Sequence, residues 1–227
     1  MNFDRNRKAV TEQYAKLARN YDSRWSFYVH ATTDATMERL PPTPGATLDI
    51  GCGTGALLSR LVDKFPDSNF AGVDASTEML ELARSRLPAN VSLATCWAEE
   101  LPFDAGSFDT IVSCNMFHFI RRPDAALDEM FRVLRPGGTV VITDWCDDYI
   151  TCKLCDIYLR WFDPSHFRMY GAAQCRELLT AANARQIDIA KYKVTWLWGM
   201  MTATARKCSD KTETLSPLQD AISQIKL

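Results

Sequence analysis

Leu48-Asp49-Ile50-Gly51-Cys52-Gly53-Thr54-Gly55 closes the short apolar run that begins at Ala46. It opens a segment in which Leu57, Leu58, Leu61, Val62 and Phe65 recur at helical spacing. A strand, a glycine turn and a helix start are therefore predicted in direct succession. Glycine admits positive φ and lets a ligand approach the main chain closely, and the helix beyond offers unpaired N–H groups. Such a turn suits an adenosine-bearing ligand.

Downstream the same alternation repeats. Strands are expected near 69–74, 91–95, 109–114 and 138–144, and helices near 55–65, 76–87 and 124–134. Strands alternating with helices predict an α/β fold with a parallel, doubly wound sheet. Ser76 is placed to cap the helix after Asp74, with Glu78 in its first turn complementing the dipole. Upstream, Val10, Tyr14, Leu17, Ala18 and Tyr21 have helical spacing. A second helix is expected from Ser26 to Leu40, stopped by Pro41-Pro42-Thr43-Pro44-Gly45. After Asp144 the alternation breaks, because residues 147–170 carry Tyr149, Tyr158, Trp161, Phe162, His166, Phe167 and Tyr170, read as an inserted helix and loop. A helix near 172–182 precedes two strands, 186–195 and 197–206, close enough to pair as an antiparallel hairpin at the sheet edge. The expected division is one domain over 1–207, comprising a helical cap (1–45), a core (46–144), a substrate-side insertion (145–171) and a terminal helix with hairpin (172–207). A polar tail, 208–227, follows, in which Leu218, Ile222 and Ile225 are spaced for a short helix.

Gly51, Gly53 and Ala56 also satisfy the relaxed dinucleotide pattern G-x-G-x-x-G/A, with Asp74 roughly 20 residues on, where a ribose-binding acid is expected. The glycines alone leave NAD open. Asp49 separates the ligands: a carboxylate at the strand end repels a pyrophosphate and attracts the ammonium of a methionine moiety. A cationic, phosphate-free cofactor, S-adenosylmethionine, fits better.

Leu48 to Gly55 resembles the first motif of class I S-adenosylmethionine-dependent methyltransferases. Val73-Asp74-Ala75-Ser76 resembles that family's second strand end. Leu101-Pro102-Phe103 with Ser107-Phe108-Asp109 resembles its approach to the fourth strand, and Leu134-Arg135-Pro136-Gly137-Gly138 its turn into the fifth. The likeness covers roughly residues 10–206 and is nearest to the small-molecule branch that includes the ubiquinone and menaquinone C-methyltransferases. It implies a Rossmann-like, seven-stranded sheet ending in an antiparallel hairpin, with the ligand at the carboxyl ends of the strands.

The resemblance implies cofactor contacts from Tyr14, Tyr21, Asp49, Gly51, Cys52, Gly53, Asp74, Ala75, Met79, Trp97, Ala98, Glu99, Cys114 and Asn115. Asp49 lies near the methionine amine, directly or through water, and Asp74 accepts two ribose hydroxyls. The alternatives are a polar strand end and a helix-capping aspartate. Many relatives read Gly-Asp-Ala-Glu where this chain has Cys96-Trp97-Ala98-Glu99. Indole accepts no hydrogen bond, so adenine falls to the Ala98 amide and to stacking on Trp97, unless Trp97 packs beneath the sheet. Tyr14 and Tyr21 resemble cap tyrosines that close over the cofactor, or are ordinary packing of an amphipathic helix.

After the fourth strand the family often has asparagine and then paired histidines. Here only His118 remains and Phe119 replaces the second. A neutral imidazole at this rim is a candidate base for a phenol, an enol or a ring carbon, or else holds the loop through a backbone bond. Tyr28, Phe119, Trp161, His166 and Tyr170 are expected to line the acceptor pocket. The aromatic content points to a small apolar or aromatic acceptor of quinone, isoprenoid or natural-product type, methylated at carbon or oxygen.

Composition narrows the field. The 227 residues carry 26 Lys and Arg against 28 Asp and Glu, a net charge of −2 that leaves no basic face for nucleic acid. No apolar run has the length of a membrane span and the N-terminus lacks a signal core, so a cytoplasmic protein is expected. The eight cysteines are read as free thiols. Cys152-x-x-Cys155 has metal-ligand spacing but no second Cys/His pair with clean spacing, so no metal is expected. The thiols also suggest arsenite methylation, although no cysteine precedes Cys52. A catalytically silent cofactor-binding subunit and an NAD-dependent oxidoreductase are the competing classes.

Overall fold

The computed structural model describes residues 3–209. Seven strands form one sheet in the order β3-β2-β1-β4-β5-β7-β6. They are β1 (Thr47–Ile50), β2 (Phe70–Asp74), β3 (Ser92–Thr95), β4 (Phe108–Cys114), β5 (Leu134–Trp145), β6 (Ala184–Lys193) and β7 (Gly199–Lys207). The first five are parallel, while β7 runs antiparallel to both β5 and β6. The Rossmann-like sheet with a terminal antiparallel hairpin is thus as the sequence predicts. The chain leaves β1 toward β2 on one side and returns as β4 on the other, which opens a crevice beyond the carboxyl ends of β1 and β4.

Alternation along the strands feeds two cores. Leu48, Ile50, Ile111, Val140 and Ile142 pack with α5 (Pro123–Val133) and α7 (Ala172–Ala181). Phe70, Val112 and Val141 pack with Met37 of α2 (Tyr21–Glu38), Leu57, Leu58 and Leu61 of α3 (Ala56–Lys64), and Leu80 and Ala83 of α4 (Thr77–Arg86). Asp49 lies between Leu48 and Ile50 on the opposite face and is itself buried. Ser76 caps α4, its Oγ accepting from the Met79 amide at 3.3 Å.

Three boundaries differ from expectation. The second helix begins at Tyr21, not Ser26, because only the single turn Ala18–Asn20 separates it from α1 (Phe3–Leu17) and nothing between Tyr21 and Ser26 breaks a helix. β5 starts at Leu134, before the glycines, since Leu134 pairs with Phe108 and a register shift absorbs the Pro136-Gly137-Gly138 turn. The hairpin strands end and resume at Lys193 and Gly199, which lengthens the connection to residues 194–198. The insertion holds a helix as expected, α6 (Ile150–Phe162). The helical spacing expected at 218–225 lies outside the described residues.

Candidate cofactor and acceptor site

The deciding turn is built by three positive-φ glycines, Gly51 at 73°, Gly53 at 53° and Gly55 at 77°. At Gly51 a Cβ would stand 2.4 Å from Met116 Cγ and 2.7 Å from its Cβ, so shape as well as φ excludes a side chain. Gly51→Ala is expected to destabilise the fold by about 2–5 kcal/mol, combining left-handed strain with overpacking. A thermal melt checks this, and an unchanged Tm would mean that the turn relaxes at little cost.

The turn forms one wall of a cleft with about 1080 Å³ of empty space, part of it open to solvent. Every residue expected at the cofactor lines it: Tyr14, Tyr21, Asp49, Gly51, Cys52, Gly53, Asp74, Ala75, Met79, Trp97, Ala98, Glu99, Cys114 and Asn115. Asn6, Arg7 and Val10 of α1, with Val29 and Thr33 of α2, supply the side opposite the sheet. Tyr14 packs edge-on against Phe119 with ring centroids 5.4 Å apart, which ties the cap to the loop after β4.

Two carboxylates dominate the electrostatics. Asp49 is 2% exposed, and burial, reinforced by the charge of Asp74, pushes its carboxyl up to about 8. Its Oδ1 has no hydrogen-bond partner among the described residues. Asn115 also lines the cleft, in a left-handed conformation (φ 60°) that asparagine tolerates; its Nδ2 donates to Thr32 Oγ1 at 2.7 Å, while its buried Oδ1 has no donor among the described residues. Two unsatisfied acceptors at the ends of adjacent strands await donors. Asp74 Oδ2 accepts from the Gly53 amide at 2.9 Å and Oδ1 from the Ser76 amide at 2.8 Å. It therefore latches the glycine turn to the start of α4 even while Ser76 provides the cap. Burial still raises the Asp74 carboxyl, opposed by these amides.

Trp97 does not pack beneath the sheet. It lines the cleft, with the Arg7 guanidinium 4.7 Å over its ring centroid, and Arg7 also lies 3.6 Å from Glu99. The departure at position 97 thus meets a cation from α1 that the sequence did not single out.

The residues expected around the acceptor divide. Phe119 lines the cleft, whereas His118, Tyr28, Trp161, His166 and Tyr170 do not. Trp161 is 83% exposed on the outside of α6, because that helix turns Cys152 and Asp156 inward. Tyr170 is packed in the core against Phe117, with centroids 5.5 Å apart. Tyr28 is buried and accepts a hydrogen bond from Trp145 Nε1. His166 is buried, its Nε2 2.8 Å from Asp156 Oδ1. His118 lies one layer behind Phe119, with ring centroids 4.0 Å apart, and stacks on Trp145 at 5.1 Å. Asp144 accepts from the His118 amide at 3.0 Å and from the Trp145 amide at 2.6 Å, and its Oδ1 stands 2.7 Å from His118 Nδ1. As an acceptor it fixes the proton on Nδ1 and leaves Nε2 as the basic atom. The His118 carbonyl also accepts from the Phe167 and Arg168 amides, so this residue holds the loop as well. Asp144 and Asp156 were missed; the available signal for Asp144 was its place at the carboxyl end of a β-branched strand. Cys152 Sγ accepts from the Gly199 amide at 3.2 Å, a packing role for that thiol.

Residues 47–138 match the methyltransferase domain family. An uncharacterised methyltransferase of Mycobacterium tuberculosis is 41% identical over 99 residues, which cover 44% of this chain and 39% of that protein. A ubiquinone/menaquinone biosynthesis C-methyltransferase of Rhizobium johnstonii is 34% identical over 166 residues, 67% of this chain and 64% of that protein. A malonyl-[acyl-carrier protein] O-methyltransferase of Methylococcus capsulatus is 33% identical over 129 residues, 56% and 46% respectively. The chain thus spans less than two thirds of the length of each of these relatives. Among solved structures, a methyltransferase of Thermotoga maritima described as S-adenosylmethionine-dependent superposes with a TM-score of 0.69 at 22% identity, covering 86% of this chain and 98% of that one. At that identity the likeness concerns the fold.

Proposed function

We propose, from the premise that residues 47–138 belong to the methyltransferase domain family and lie within a class I methyltransferase fold, that this chain is an S-adenosylmethionine-dependent methyltransferase acting on a small molecule. The observation that carries the reading is the pair of orphaned acceptors, Asp49 Oδ1 and Asn115 Oδ1, lining the cleft at the ends of β1 and β4. An ammonium group has three donors and the charge that a desolvated carboxylate lacks. A dinucleotide's pyrophosphate has neither.

When bound, S-adenosylmethionine supplies an activated methyl on its sulfonium. The remaining work falls to the chain. Asp49 and Asn115 accept from the amine, and Asp74 uses its remaining lone pairs for the ribose hydroxyls. The Ala98 amide and the Trp97 ring take the adenine. Tyr14, Val10 and Phe119 close the far side, excluding water and holding the acceptor in line. The apolar lining from Ile50, Leu57, Met116, Phe119 and Ile120 favours an apolar or aromatic acceptor, methylated at carbon or oxygen. The relatives named for C- and O-methylation span those same two chemistries. The eight free cysteines suit a reducing cytoplasm.

His118 stands behind Phe119, outside the cleft, with its Nδ1 2.7 Å from Asp144 Oδ1, so its role in this reading is to hold the loop that brings Phe119 to the cleft and not to take a proton from the acceptor. His118→Ala should leave buried Asp144 short of a partner and destabilise the fold by about 1–3 kcal/mol while cofactor affinity persists. An unchanged Tm with a large loss of methyl transfer would instead make His118 the base. Calorimetry with S-adenosylmethionine, S-adenosylhomocysteine and NAD tests the class: binding of NAD alone would overturn it. Incubation with labelled donor and metabolite extract then shows which product gains the methyl.

A further inference from the structure

Helix α6 is amphipathic with its sides reversed. Its inward face is Cys152 and Asp156, the latter accepting from the Met169 amide at 2.7 Å and paired with His166. Its outward face carries Ile150, Leu154, Ile157, Tyr158, Trp161 and Phe162, between 49% and 83% exposed. The charges interspersed there are Lys153 and Arg160, the latter 3.5 Å from the inward Asp156; no carboxylate faces outward on this helix.

The surface continues beyond the helix. Thr151 Oγ1 donates to the Leu197 carbonyl at 2.7 Å, which docks the 194–198 connection against the start of α6, and Trp196 is 79% exposed at its tip. Exposed Lys193 precedes that tip, and exposed Phe27 stacks on Trp198. An aromatic side chain presents about 150–250 Å². Tyr158, Trp161, Phe162 and Trp196 together with the three aliphatic residues therefore expose more than the ~300–600 Å² patch of an ordinary monomer.

We propose that α6 and the 194–198 tip form a docking surface for an anionic lipid bilayer, lying flat in the headgroup region. Trp161, Phe162 and Trp196 enter the acyl boundary, while Lys153, Arg160 and Lys193 meet lipid phosphates. Aromatic and aliphatic side chains on one face with only basic charges among them is the composition that an interfacial helix needs. Charge selects lipid over a second copy of this chain. A two-fold contact through this face would set Lys153 and Arg160 of both copies together with no outward carboxylate on α6 to neutralise them. No helix among the described residues is long and apolar enough to cross a membrane.

The full 227-residue chain is to be sedimented with vesicles of phosphatidylcholine alone or mixed with phosphatidylserine. The expected result is binding to the mixed vesicles that weakens with salt. Lys153→Gln and Lys193→Gln should each reduce it by about fivefold, and Trp161→Ser with Phe162→Ser by about tenfold or more. These side chains are exposed, so circular dichroism should be unchanged. A chain that stays in the supernatant with mixed vesicles at low salt overturns the proposal. So does light scattering in which Trp161→Ser converts a dimer to a monomer while vesicle binding is absent, which would assign the face to self-association.

Discussion

Asp49→Asn is expected to stabilise the ligand-free protein at neutral pH and to weaken S-adenosylmethionine binding by about 10²-fold, a charged hydrogen bond being lost in a desolvated site. The two effects share one cause. Burial among Leu48, Ile50 and the β2 and β4 neighbours raises the carboxyl to about 8, with Asp74 adding to the shift. In the unfolded chain the group ionises near its ordinary value of 3.8. Between those limits folding takes up a proton. The contribution of Asp49 is therefore fully favourable below about pH 4 and is lost as pH rises toward 8, by about 1.4 kcal/mol per pH unit. Asparagine has no such dependence, so the difference in Tm between variant and parent should widen with pH through this window. Binding runs the other way. A cationic ligand restores the carboxylate and expels the proton, so parent affinity should tighten as pH rises toward 8. Calorimetry at neutral pH in buffers of different ionisation heat should find up to about one proton released per ligand in the parent and none in Asp49→Asn. Equal affinity of the two proteins would remove Asp49 from the ligand's ammonium.

The convergence of the cleft residues around the glycine turn was legible because they are local in sequence. Gly51, Gly53 and Asp49 sit within one strand and turn, and Asp74 ends the neighbouring strand, so a period-2 pattern and a glycine count suffice to bring them together. The acceptor side depends on which way side chains point, and that is set by packing. Trp161 is expected at the acceptor pocket because it falls in the aromatic segment inserted after the core strands, yet α6 turns inward a carboxylate, Asp156, whose partners His166 and the Met169 amide come from the loop that follows it. No hydrophobic period announces a helix buried through its aspartate. At Phe117–Phe119 a single turn of 3₁₀ helix separates neighbouring side chains, so Phe119 reaches the cleft while His118 falls behind it against Trp145. Sequence brings both residues to the same rim, but only backbone geometry decides between them. Arg7 was silent for a similar reason, since its contact with Trp97 joins segments 90 residues apart through the seating of α1.

Asp74→Asn should damage binding and stability together, unlike Asp49→Asn, because Asp74 is already at work in the ligand-free protein. Its two oxygens receive one backbone amide each, from Gly53 and from Ser76. Asparagine can replace only one of these acceptors; the other amide then faces an NH₂ group, at a cost of about 1–3 kcal/mol. The Gly53 latch or the entry to α4 opens, and either change disturbs the surface on which the ribose would rest. Loss of the carboxylate's charge to the hydroxyls adds about 1.5–3 kcal/mol, so affinity should fall by at least about tenfold. A second consequence follows from the coupling of the two acids. The negative charge of Asp74 is one of the causes that hold the Asp49 carboxyl up, so removing it should move Asp49 back toward its ordinary value. The pH at which binding tightens should then shift downward in Asp74→Asn, even as the plateau affinity drops. Titrating affinity against pH in both proteins separates the contributions: a weaker plateau with an unmoved midpoint would keep the ribose contact but refute the electrostatic link, and an unchanged plateau would refute the ribose contact itself.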